Sequence, residues 1–154
     1  MLRLVTHADA GVERINVEHS LANKLELASR IEAFLASSAL AHCWGPESEA
    51  RPPQDLLDAK VEEARALVAG VRSRWQDLVD RLDHTFPALQ DHSVVASWKA
   101  EIKAPLAEIF AGLAFAPVLA RCNAIHRTVL RSRVFVALHM HAGDGNVHTN
   151  LPVN

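Results

Sequence analysis

Apolar residues recur at helical spacing along most of this chain. From Ser20, a residue able to cap a helix, Leu21, Leu25, Leu27, Ile31, Phe34 and Leu35 fall three to four apart and mark one helical face. Residues 36–53 break the pattern, where Gly45, Pro46, Pro52 and Pro53 punctuate a loop. A long helix is predicted from near Pro53 to about Asp83. Its stripe, Leu57, Val61, Ala64, Val68, Val71, Trp75, Leu78 and Leu82, alternates intervals of four and three, the seam of a helix packed lengthwise on another. Gly70 weakens that helix by about 1 kcal/mol relative to alanine, and Pro87 is expected to end it.

A third helix is predicted over residues 94–110, with Pro105 as a break or restart. Pro117 suits the first turn of a fourth, which carries Val118, Leu119, Cys122, Ile125, Val129 and Leu130, with Ser132 closing the helical part. The two ends differ. Residues 1–18 are ambiguous, with weak alternation from Val12 to Val17 that suits a short strand. At the other end, Val134-Phe135-Val136-Ala137-Leu138 reads as a strand, and Asp144-Gly145 is a strong signal for a tight reversal. The expected fold is α+β and predominantly helical: about four helices followed by a C-terminal β-hairpin over 134–151.

Composition narrows the function classes. The chain has 154 residues, the length of one domain, with 49% hydrophobic and 22% charged residues. A formal net charge of −2 leaves no basic field for nucleic acid, and the lack of tyrosine removes one source of base-stacking surface. Cys43 and Cys122 stand in no metal-type spacing and read as reduced thiols, which points to the cytoplasm. No stretch approaches the roughly 20 apolar residues of a membrane helix.

Candidate chemistry gathers in the predicted hairpin. His139, His141 and His148 are three of the chain's nine histidines. A hairpin would bring His141 near His148, and two neutral imidazoles suit zinc and similar divalent ions. Asp144 offers a further ligand or an orienting hydrogen bond, while Gly143 and Gly145 permit backbone angles that other residues resist. The plainer reading is a solvated hairpin whose histidines only hydrogen-bond. An EF-hand is excluded because Asp144 is the only carboxylate of the loop. A β-lactamase-like zinc site would require Asp-His where Gly143 and Asp144 stand.

The run His141-Ala142-Gly143-Asp144-Gly145-Asn146-Val147-His148-Thr149-Asn150 closely resembles the His-x-Gly-Asp-Gly-Asn-x-His-x-Asn signature of FAD-linked oxidases. These include the D-lactate, D-2-hydroxyglutarate and glycolate dehydrogenases, and the signature lies in their C-terminal substrate domain. The segments around Val12–His19 and His42–Glu47 look most like the large bacterial FAD/FMN-binding oxidoreductases, which often add iron–sulfur modules. The resemblance implies that His141 and His148 ligate a divalent metal, zinc or manganese, and that Asn150 faces the substrate. It implies that Gly143, Asp144, Gly145 and Asn146 shape the turn towards the flavin. Lys99 falls near the family's carboxylate-binding arginine, although a solvated helix face is the plainer reading of Lys99 and Lys103. Met140 stands where the family usually has glycine, Ala111 where it often has lysine, and His139 lies outside the signature.

By the same resemblance, the third ligand and the catalytic base form a Glu-His pair beyond Asn154, and an FAD-binding domain precedes this one. Residues 1–154 are then expected to be a partial substrate domain, unable to turn over a 2-hydroxy acid alone. The full-length protein would be cytoplasmic, with attachment to a membrane surface left open. The alternative is a non-enzymatic helical module whose histidine hairpin binds a metal or a partner, and whose 57–82 stripe pairs with another copy. Packing within the chain is the plainer reading of that stripe.

Overall fold

A computed structural model describes the backbone of residues 7–46, 48–132, 137–140 and 147–150, with side chains described from residue 13 to 132 except 47. The expectation of an α+β fold with a C-terminal β-hairpin is corrected: the part described with side chains is 82% helical and contains no strand or sheet. Two four-residue backbone stretches farther on, Ala137–Met140 and Val147–Asn150, lie antiparallel with His139 opposite His148. A ladder of two short strands is not a layer and has marginal stability by itself. The fold class is therefore set by the helices.

The first helix, α1, runs from His7 to Ala36. It takes in residues 7–18 of the segment expected to be ambiguous, including the proposed strand at 12–17; residues 1–6 lie outside the described residues. A helix makes use of what that segment carries: Arg14 Nε donates to Glu18 at 3.2 Å, one turn on, and Arg14 Nη2 donates to Asp83 at 2.6 Å. Ser20 lies inside this helix and caps nothing, and its hydroxyl accepts from Lys24 Nζ at 2.7 Å. The cap sits instead after the helix. Ser37 accepts from the Ala39 backbone N–H at 3.2 Å and opens a 3-10 turn over Ser38–Cys43.

Helix α2 spans Gln54–Asp80, starting where Pro53 predicts. Of its stripe, Leu57, Ala64, Val68, Val71 and Trp75 are buried, while Val61 and Leu78 pack half-buried against the same core. Pro87 does not end this helix. The chain breaks at Arg81, with φ −112° and ψ 30°, and resumes as α3, Leu82–Gln90, with Pro87 inside it. The Thr85 hydroxyl donates to the Leu78 carbonyl at 2.9 Å, an acceptor left open by the break, while the Arg81 carbonyl accepts the His84 and Thr85 N–H groups at 2.9 Å.

Residues predicted as one helix over 94–110 divide in two. A π-helical turn, Lys99–Lys103, leads into α4, Ala104–Ile109, with Pro105 in its first turn. Proline lacks an N–H and collides with the carbonyl four residues back. Here the Ala104 N–H reaches five residues back to Lys99, so the chain widens just ahead of the proline. Gly112, at φ +107°, turns the chain into a 3-10 turn, Leu113–Phe115, and then α5, Ala116–Arg131. Ser132 closes α5 as expected, its hydroxyl donating to the Val129 carbonyl at 2.8 Å.

Helix α1 packs on both α2 and α5, and α2 packs on the π turn and α4. Helices α2 and α3 run back along α1, so Arg72 bonds Glu32 at 2.8 Å while the later Asp83 bonds the earlier Arg14. One core results, from Ile31 and Phe34 of α1 through Val68 and Trp75 to Ile102, Leu106, Phe110 and Val118. Each such buried side chain contributes about 1.5–3 kcal/mol by leaving water. Most of the 57–82 stripe is buried inside the chain. Among the described residues, no helix is long and apolar enough to cross a membrane.

Candidate functional site

The expected site residues divide sharply by position. His141, Gly143, Asp144, Gly145 and Asn146 lie outside the described residues, and so do the side chains of His139, His148 and Asn150. Lys99 is described: it opens the π turn and is solvent-exposed. Ala111, at the place of the family's downstream lysine, follows α4 and is also exposed.

The π turn that carries Lys99 is anchored by a residue the sequence did not single out. Glu101 bends back to α2, where one carboxylate oxygen accepts from the Trp75 indole at 2.8 Å and from the Ser97 backbone N–H at 2.7 Å. The other oxygen pairs with Arg74. Trp75 is wholly buried, so its indole N–H needs a partner, and Glu101 supplies it. Beside Lys99, the Trp98 ring stacks on His126 of α5, with centroids 4.8 Å apart. The π turn is thus tied to α5 just before its start, through Trp98, and to α2 at its middle, through Glu101. Lys99 itself stands exposed on this turn.

On the opposite side of the turn, Lys60 of α2 donates to the Ile109 carbonyl at 2.6 Å and sits 5.3 Å from the centre of the Phe115 ring. A cation at the last carbonyls of a short helix satisfies their unfilled acceptors. This lysine is occupied structurally and is not a candidate ligand.

The thiols lie where the 3-10 turn meets α5. Cys43 is half-buried and, with Ala39, His42 and Arg121, lines an open recess. His42 holds its Nδ1 3.0 Å from the Ser38 carbonyl. Burial raises the Cys43 thiol pKa, against the opposing charge of Arg121. Burial pushes Cys122 up to about 12, and neighbouring Cys43 adds to the rise. Thiols so raised stay protonated at neutral pH and are poor nucleophiles and ligands. Among the described residues, no group of three or more His, Cys, Asp or Glu side chains is placed to hold a metal ion.

No family model, curated protein or solved structure matches the chain.

Proposed function

We propose that this chain is part of the substrate domain of a flavin-dependent oxidoreductase that oxidises a small D-2-hydroxy acid at a metal-assisted site. The observation that carries this reading is the ten-residue run from His141 to Asn150. Two imidazoles flanking Gly-Asp-Gly-Asn form a donor set suited to a borderline divalent ion such as zinc or manganese. In this reading His141 and His148 hold the metal, which supplies the charge that acidifies the substrate hydroxyl. Asn150 orients the substrate, and Lys99 pairs with its carboxylate. FAD does not fit this chain by itself, since no glycine-rich strand-to-helix turn is present to cradle its phosphates. Flavin, any iron–sulfur centre and the catalytic base are assigned to the rest of such an enzyme.

The stripe that would serve pairing is mostly buried within the chain, which favours this reading over a pairing module. Calorimetric titration with zinc and with manganese tests the metal assignment. The parent chain binds one equivalent, and His141→Ala with His148→Ala weakens that binding at least tenfold. Equal binding by the double variant overturns the assignment. In the enzyme that contains this segment, the same pair of substitutions abolishes oxidation of D-2-hydroxy acids while the flavin absorbance persists; retained turnover overturns the functional reading.

A further inference from the structure

We draw no further inference here: the strongest candidate, the open recess between the 3-10 turn Ser38–Cys43 and α5 lined by Ala39, His42, Cys43 and Arg121, carries nothing because only raised thiol pKa values set it apart and no buried, unpartnered polar group among the described residues is aimed into it.

Discussion

Glu101 shows how a single carboxylate holds a segment whose backbone departs from regular helix. Its side chain is 19% exposed and joins the π turn to a tryptophan 26 positions away. Glu101→Ala leaves the Trp75 indole N–H and the Ser97 N–H without acceptors, which should cost about 2 kcal/mol in urea unfolding. Glu101→Gln keeps an acceptor and should cost less. Arg74 is half-exposed, so its own removal should matter little. Equal losses for Glu101→Ala and Arg74→Ala would show that the ion pair, not the buried acceptor, anchors the turn.

Cys122 makes a different prediction. Its thiol is raised in the folded chain from an ordinary value of 9.0 to about 12. The unfolded chain therefore loses this proton first as pH rises, and folding stability falls between pH 9.0 and about 12. Below that window the folded state keeps its full stability. Cys122→Ala should flatten the alkaline loss relative to the parent over the same range, and identical slopes would show that the thiol does not contribute. Iodoacetamide followed by mass spectrometry should label Cys43 first and Cys122 only on unfolding.

At the scale of elements, two glycines with similar surroundings should respond in opposite directions. Neither Gly70 nor Gly112 has an atom within 4 Å of where a Cβ would stand. Gly70 is exposed in the middle of α2, so Gly70→Ala should stabilise by about 1 kcal/mol through helix propensity. Gly112 adopts φ +107°, which an L side chain resists, so Gly112→Ala should destabilise by about 1–3 kcal/mol. Thermal unfolding of both variants checks the pair, and shifts in the same direction would sink the backbone argument. Periodicity foresaw most buried positions of α2 and α5 because a helix in a packed domain must hide one face, but Leu130 of the α5 stripe is exposed. The pattern does not place the end of α2, because Pro87 is a strong breaker on paper yet sits inside α3. The break at Arg81 is accompanied by the Thr85 hydroxyl bonding the Leu78 carbonyl, a contact that the pattern does not record. The strand expected at 12–17 failed for a related reason: its few apolar residues suited two periods, and ties from Arg14 and Glu13 to α3 favour the helix.

Over the whole molecule, the sequence located a core but not what joins its parts. The links that close the body, Glu32 with Arg72, Trp44 with Ala114, and Lys60 with Ile109, each span 40 or more positions. None belongs to a local motif. The candidate site is the reverse case: it is legible only as a motif, since His141 and the 143–146 loop lie outside the described residues. Of its proposed members Lys99 alone has a described side chain, which is exposed; the structure adds the ties of its neighbours Trp98 and Glu101 to α5 and α2.

The interruption at Arg81 also has a kinetic meaning. Helix α3 has nine residues and one buried side chain, Leu82, and its polar ties to α1 are at the surface. Native proteins open in parts, and weakly buried parts open at the lowest free energy. The amide hydrogens of α3 should thus exchange with deuterium well before those around Val68 and Trp75, which are released only by global unfolding. Equal protection on both sides of Arg81 would mean that the two helices open as one. Otherwise that residue marks a seam along which the molecule comes undone, with α3 peeling away while the core remains intact.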